Sequence, residues 1–235
     1  MVGSTNDEAR RWAAENPDAW AAVVAREQTA GRGRLGRAWA SPEGGAWITL
    51  VCPAPSQGVA SPAALVAGVA ACSVIEQVIP GIPTPKIRWP NDLLIEGRKV
   101  GGLLGETAVI DRRPTLLLGI GVNVNNRVDD DLRTPAVNLA AHADGPVDLP
   151  AFVDALADRV SRRVAGFFGS GWTDDLSKSL NKRLADRGRR VRLEGAGEPI
   201  AGVLIGVGAG GELLLEIDGE RRAFVSGELS CRGLE

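Results

Sequence analysis

The segment Gln28-Thr-Ala-Gly-Arg-Gly-Arg-Leu-Gly-Arg-Ala-Trp39 sets Arg32, Arg34 and Arg37 in a stretch punctuated by Gly31, Gly33 and Gly36. Guanidinium groups are permanently charged planar donors for phosphate or carboxylate, and glycines let a loop close on such an anion. The same stretch also reads as a solvated basic loop or an RNA contact. Its glycines satisfy GxGxxG, but that fingerprint must open a helix and be followed about 20 residues on by an acid at a strand end. Here Ser41-Pro42, Gly44-Gly45 and then a strand pattern follow, with no such acid. The dinucleotide-binding reading fails on its own context.

A second segment, Arg88-Trp-Pro-Asn91-Asp92, precedes Lys99-Val-Gly101-Gly102. It places an amide and a carboxylate at a strand end, opposite a lysine across a hairpin. Magnesium on a nucleotide typically takes one or two carboxylates plus substrate phosphates, which Asp92 could serve. Gly101 and Gly102 allow close backbone approach beside Lys99. Taken alone, the segment reads first as an Asx-type turn with a surface lysine. A third segment, Gly119-Ile-Gly-Val-Asn123-Val-Asn125, ends a buried strand with small residues and amides. It either reads an adenine edge or serves tight strand packing.

Composition bounds the chemistry. Two hundred and thirty-five residues with 44% hydrophobic and 24% charged residues suit a main domain with a small appendage. Twenty-seven Lys and Arg against 29 Asp and Glu leave a net charge of -2, unlike a generally basic nucleic-acid binder. The single histidine, His142, excludes multi-histidine metal centres and leaves any Ser–His–Asp scheme dependent on one residue in a loop-like stretch. Cys52, Cys72 and Cys231 are odd in number and form no CxxC, which fits a reducing, cytoplasmic setting. MVGSTNDEARR is no signal peptide. The apolar stretch Val59 to Ile75 contains Ser61, Pro62 and Ser73, and reads as a buried core helix rather than a membrane span.

The elements that must position these segments follow from pattern. Thr5 and Glu8 have capping-box spacing for a helix reaching Pro17. Ala21–Ala25 and Ala46–Val51 read as buried strands on either side of the arginine loop. A helix covers Pro62 to Ile79 with Ser61 as cap. Lys86–Trp89, Leu93–Ile95, Val100–Ile110 and Thr115–Val122 are strands, with a hairpin turn at Glu96-Gly-Arg. Arg127 to Pro146 is irregular. Helices follow over Asp148–Phe168 and Thr173–Asp186. From Arg189, Val191–Leu193, Ile200–Ile205, Glu212–Ile217 and Arg222–Val225 are short strands between glycine-rich turns, a small barrel on a mixed α/β domain. We place the boundary between 1–186 and 187–235.

Ser4-Thr5-Asn6, QTAGRGRLGRAW, RWPND followed by GRKVGGLL, and GIGVNVN resemble, in order and spacing, the biotin protein ligase family. The likeness is strong over residues 3–126 and looser for the C-terminal tail. It implies an α+β fold in which a mixed-sheet ligase domain, like that of class II synthetases and biotin and lipoate ligases, carries an SH3-like barrel. It also implies a two-step ligase that joins biotin and MgATP into biotinyl-5′-AMP. The biotinyl group then passes to a lysine of a biotin carboxyl carrier domain of a biotin-dependent carboxylase. The first nucleophile, a carboxylate with a pKa of about 4.3 by analogy with Glu, is already ionised at neutral pH and needs no histidine base. Cations and Mg²⁺ in a closed site must instead offset its repulsion by a triphosphate.

By motif, the resemblance assigns Ser4, Thr5, Asn6 and Gln28 to the biotin head group. Arg32, Gly33 and Arg34 would cover the biotin carboxylate and α-phosphate. Arg37 would meet nucleotide phosphates, Trp39 would lie against adenine, and Asn91 and Asn123 complete the nucleotide contacts. Lys99 would bridge carboxylate and α-phosphate. Asp92 would serve Mg²⁺ or orient the incoming amine, and with Lys99 and Arg34 it makes up the catalytic set. Three departures stand out. Only three residues precede Ser4-Thr5-Asn6, where relatives have a further strand. No helix-turn-helix precedes the core, so specific DNA binding is not expected. Arg88 replaces the family's lysine before Trp-Pro. The implied partners are the carrier domain and no membrane, and a homodimer is compatible with the family. The competing readings are a lipoate or octanoate ligase or transferase of the same fold, and a regulator that binds the adenylate without ligating.

Overall fold

The computed structural model describes residues 1–128, 135–195 and 197–230. Helix α1 (Thr5–Glu15) is followed by strands β1 (Ala21–Ala25) and β2 (Ala46–Pro53). Helix α2 (Ala60–Val78) leads to β3 (Lys86–Arg88), β4 (Asp92–Ile95), β5 (Arg98–Ile110) and β6 (Arg113–Val122). These six strands form one sheet in the order β1-β2-β6-β5-β4-β3. Its ladders are all antiparallel. The expected mixed character is confined to isolated parallel bridges, Val2 to Gln28, Ile87 to Leu184 and Lys99 to Ala136. Hairpin connections account for most of this, because parallel neighbours need long crossovers.

The alternation of β2 sorts its residues between the two faces. Ile48, Leu50 and Cys52 pack with α2 and with helix α3 (Leu149–Ser170) in the main core. Val51 packs with Ala9 and Ala13 of α1 on the other face. Helix α2 is apolar and long enough to cross a membrane by composition, yet Ala63 to Cys72, Val74 and Ile75 are all buried in the protein. Each large aliphatic side chain so buried contributes about 1.5–3 kcal/mol before entropic costs. The helix begins at Ala60, after a 3-10 turn at Gln57–Val59, so Ser61 lies inside the first turn and Val59 is the cap residue. The turn runs directly into the helix and moves its start upstream. At α1 the cap is Ser4, whose Oγ accepts from Asn6 N, because the hydroxyl of Thr5 is engaged elsewhere.

Helix α4 (Asp174–Arg183) closes the first layer, and Arg183 forks onto Glu76 at 2.8 and 2.7 Å. Strands β7 (Arg190–Glu194), β8 (Ile200–Val207), β9 (Leu213–Ile217), β10 (Glu220–Phe224) and β11 (Glu228–Ser230) form a second antiparallel sheet in the order β10-β9-β8-β7-β11. Four of these strands are legible in the sequence pattern; β11 is an addition. Val191, Leu193, Leu204, Leu213 and Leu215 join the same apolar core as α2. Polar ties reinforce the junction, with Trp89 Nε1 donating to Gly211 O at 3.0 Å and Arg88 Nε to Asp186 Oδ2 at 2.9 Å. Arg88, where the resemblance leads one to expect lysine, thus ties the first sheet to the turn before β7.

Candidate functional site

One cavity of about 710 Å³ is lined by every residue to which the resemblance assigns a role. Ser4, Thr5, Asn6, Gln28, Arg32, Gly33, Arg34, Arg37, Trp39, Asn91, Asp92, Lys99 and Asn123 all face it, although they come from separate stretches of chain. Gly119 and Gly121 of β6 and Glu228 of β11 also line it. His142 lies in a 3-10 turn, Leu139–His142, away from the cavity.

One end is uncharged. Ser4, Thr5 and Asn6 are buried at the start of α1. Val2 and Gly3 are held by backbone bonds to residues 27–30, which anchors Ser4 beside Gln28. Thr5 donates from N at 2.7 Å and from Oγ1 at 2.9 Å to Gln28 Oε1. Gln28 Nε2 donates to Ser41 Oγ at 2.8 Å, and Ser41 donates to Trp39 O at 3.1 Å. Thr49, a residue the motifs do not contain, reaches Asn6 Oδ1 at 2.6 Å and Thr5 Oγ1 at 2.8 Å. The signal for it was a single hydroxyl in the otherwise apolar run Ala46-Trp-Ile-Thr-Leu-Val-Cys. Among the described residues three side-chain nitrogens are buried without a partner, Asn6 Nδ2 and Trp39 Nε1 in residues of this cavity and His142 Nε2 outside it.

The glycines of this end are there for space. A Cβ on Gly119 would fall 2.8 Å from Asn6 Oδ1, and one on Gly121 would fall 2.7 Å from Trp39 Nε1. Gly31 would bring a Cβ within 2.4 Å of Trp39 O, so it serves close packing rather than mobility. In the arginine loop the left-handed conformations belong to Leu35 (φ 57°) and Gly36 (φ 70°). The loop is itself a small hairpin, with Gly33 N donating to Arg37 O and Trp39 N to Gly31 O. A Cβ on Gly101 would meet Gly121 O at 2.6 Å, whereas Gly102 is in ordinary contact with Lys99 and Asp92.

The other end is charged. Lys99 Nζ lies 2.7 Å from Asp92 Oδ1 and 5.0 Å from the centre of the Trp39 ring, where its charge faces the π-cloud. The register between β4 and β5 shifts at Leu93/Leu94, a bulge of the kind that re-aims a side chain. Arg32 forks onto Asp7 at 2.8 and 2.5 Å, and this bond holds the Asp7 carboxyl below its ordinary range. Arg37 pairs with Glu228 at 2.6 Å. Arg34 alone of the three loop arginines is in no ion pair among the described residues; it donates to Gly227 O at 3.0 Å. Burial lowers its pKa, against the pull of Glu228 and Asp92.

Two amides are already engaged. Asn91 Nδ2 donates to Leu103 O at 2.8 Å, while Asn123 accepts from Asn126 at 3.0 Å and donates to Val137 O at 3.4 Å. Part of the irregular stretch from Arg127 to Pro146, and Cys231, lie outside the described residues. Cys52 and Cys72 are buried and unpaired, their thiols pushed up to about 12 by burial.

Comparison with known proteins gives this arrangement a family. Residues 2–125 match the model of the biotin/lipoate A/B protein ligase family. The biotin--[acetyl-CoA-carboxylase] ligase of Paracoccus denitrificans is 32% identical over 241 residues, covering 98% of each chain. The bifunctional ligase/repressor BirA of Bacillus subtilis is 33% identical over 222 residues, 92% of this chain and 67% of that one. Among solved structures, a biotin protein ligase from Aquifex aeolicus in complex with biotin and ATP superposes with a TM-score of 0.81 at 27% identity, covering 97% of this chain and 94% of that one. With residues 2–125 matched by the family model and nearly the whole chain covered by such a relative and such a fold, this chain belongs to the biotin/lipoate A/B protein ligase family.

Proposed function

We propose that this protein is an ATP-dependent biotin protein ligase. In the first step a biotin carboxylate oxygen attacks the α-phosphorus of ATP, forming biotinyl-5′-AMP as pyrophosphate leaves. In the second, a carrier-domain lysine amine attacks the acyl carbon and AMP leaves. The observation that carries the reading is the meeting of neutral hydrogen-bonding groups and cations in one cavity. A neutral hydrogen-bonding end suits a head group, and a set of cations suits a carboxylate beside phosphates. Among those cations Lys99 stands between Asp92 and Trp39. Charge stabilisation by such preorganised donors is the main lever for a reaction whose nucleophile is already ionised.

Ser4, Thr5, Asn6 and Gln28 would hold the head group, and Arg32, Gly33 and Arg34 the carboxylate and α-phosphate. Arg37, Trp39, Asn91 and Asn123 would hold the nucleotide. Among the described residues no cluster of three metal-ligating side chains exists, which favours magnesium arriving on the substrate phosphates. Asp92 would meet it there by sharing its contact with Lys99. The reading gives the chemistry to residues 1–186 and a supporting role to 187–235, whose Gly227 and Glu228 touch the arginine loop. The partner would be a carboxylase carrier domain, with no specific DNA contact. Buried, unpaired Cys52 and Cys72 support a reducing compartment. The test is biotin-dependent pyrophosphate release followed by transfer to a purified carrier domain. Release with octanoate or lipoate but not biotin would assign the protein to the other branch of the family.

A further inference from the structure

Thr49 sits in the middle of β2 with 0% exposure, between Ile48 and Leu50 and opposite Gly119 in the register with β6. A buried hydroxyl in such a strand costs free energy unless it is bonded, and valine would fill the same space without that cost. Packing therefore does not account for it; its contacts do. Asn6 Oδ1, 2.6 Å away, can only accept, whereas Thr5 Oγ1, 2.8 Å away, can itself donate, so the single Thr49 proton goes to Asn6. The Thr5 hydroxyl is shared between Thr49 and Gln28 Oε1, which the Thr5 N–H also serves. An amide held at its oxygen turns its nitrogen the other way. Asn6 is 5% exposed, lines the cavity, and leaves Nδ2 without a partner. Because Gly119 has no side chain, the amide oxygen rests directly on β6, where a Cβ would come within 2.8 Å of it.

We propose that Thr49 is the residue that sets head-group specificity, by fixing the Asn6 amide so that its two N–H donors face the ligand. The ligand must then carry a hydrogen-bond acceptor at that point, such as the carbonyl oxygen of a cyclic urea. A hydrocarbon or dithiolane end leaves the donor buried and unmatched, which selects against it by about ten- to a hundredfold. The inference rests on biotin being the substrate and adds to that reading the device that excludes other acyl acids.

The experiment measures pyrophosphate release by wild type, Thr49→Val and Thr49→Ser with biotin, octanoate and lipoate in turn. Thr49→Val frees the amide to rotate, so its biotin KM should rise about tenfold, far more than its kcat falls. The preference for biotin over octanoate should narrow by a similar factor, the KM for ATP should hold, and Thr49→Ser should restore both. A Thr49→Val enzyme with wild-type biotin KM and preference overturns the proposal. So does a loss shared equally by all three acids and by ATP, which marks a merely structural residue. If Thr49→Val fails to fold, Thr49→Cys, a weak donor of similar size, must show the same narrowing. The wild-type arm separates the two claims: no biotin-dependent release overturns the ligase reading itself, and the Thr49 proposal with it.

Discussion

At the uncharged end of the cavity, Thr5, Gln28, Ser41 and Thr49 are linked by neutral hydrogen bonds, and Ser4, Thr5 and Asn6 are almost wholly buried. At the other end Arg32, Arg37 and Lys99 each hold a carboxylate, Asp7, Glu228 and Asp92, in pairs that are partly open to solvent. The two ends stay together for different reasons. Buried neutral groups cannot change partners without leaving a donor or acceptor unmatched, so they form a fixed template. Half-exposed ion pairs are worth little each and exchange readily, so a ligand anion can take the place of the resident carboxylate. A fixed end can choose a ligand, and an exchangeable end can carry charge through a reaction.

The largest effect should come from the charged end. Replacing Lys99 with Ala removes the cation nearest both Asp92 and Trp39, and losing such a donor typically costs about 10²–10³ in rate. The side chains of Lys99 and Asp92 are each 23% exposed, so the fold should survive. Pyrophosphate release checks the rate and a melting curve checks the fold; near-normal release would remove Lys99 from the chemistry.

Gly121→Ala tests the boundary between the ends. Its Cβ would fall 2.7 Å from Trp39 Nε1 and tilt the indole out of place. We expect the KM for ATP to rise roughly tenfold, within the range for one base stacked on an aromatic ring, while biotin binding is retained. An equal loss for both substrates would mean that Trp39 supports the whole cavity rather than the nucleotide side.

Arg34→Gly should have a smaller and more specific effect. Arg34 is half-buried, unpaired by any described carboxylate, and tied to the second sheet through Gly227 O. Glycine removes that tie and loosens the backbone of the open loop. Adenylate should still form but dissociate about three- to tenfold faster, the worth of a single hydrogen bond. Acyl-adenylate would then label bystander lysines. An unchanged dissociation rate with strict carrier specificity would show that the loop does not retain it.

The parts of this site that the sequence revealed were those contiguous in the chain. The arginine loop, RWPND and the β6 glycines each declare their chemistry within a dozen residues, and the hairpin at Glu96-Gly97 brings Lys99 back to Asp92 by local rules. Asp7, Thr49 and Glu228 were not legible, because each acquires its role from a partner 25 to 191 residues away. Asp7 looked like a first-turn helix acid, and Glu228 lies in the short strand that the pattern did not resolve. The glycines misled for a related reason: Gly31 read as a flexible point, yet the carbonyl of Trp39 is what forbids a side chain there. The start of α1 moved because a tertiary bond to Gln28 took the Thr5 hydroxyl that local spacing had assigned to capping.

The smallest effect tests how loosely the charged end is held. Asp7 titrates below its ordinary value of 3.8, chiefly because Arg32 donates to it; burial opposes this, and the charges of Arg32, Arg10 and Arg11 add to it. A carboxylate depressed in the folded state stabilises the protein above its unfolded value, and that stability is lost as pH falls through the folded value. Both side chains are more than a third exposed, so solvent screens the pair, and Asp7→Asn should cost no more than about 1 kcal/mol at neutral pH. Glu76, depressed by Arg183 in the same direction, keeps its own contribution in wild type and variant alike and cancels from the difference. The measurable quantity is therefore the gap in stability between wild type and Asp7→Asn, followed by denaturant titration from neutral pH downward. It should be constant near neutrality and close below about pH 3.8, where wild type loses the ion pair that the variant never had. A gap that persists into acid would mean that Asp7 acts through its place in the first turn of α1, and that the exchangeable end is held by more than charge.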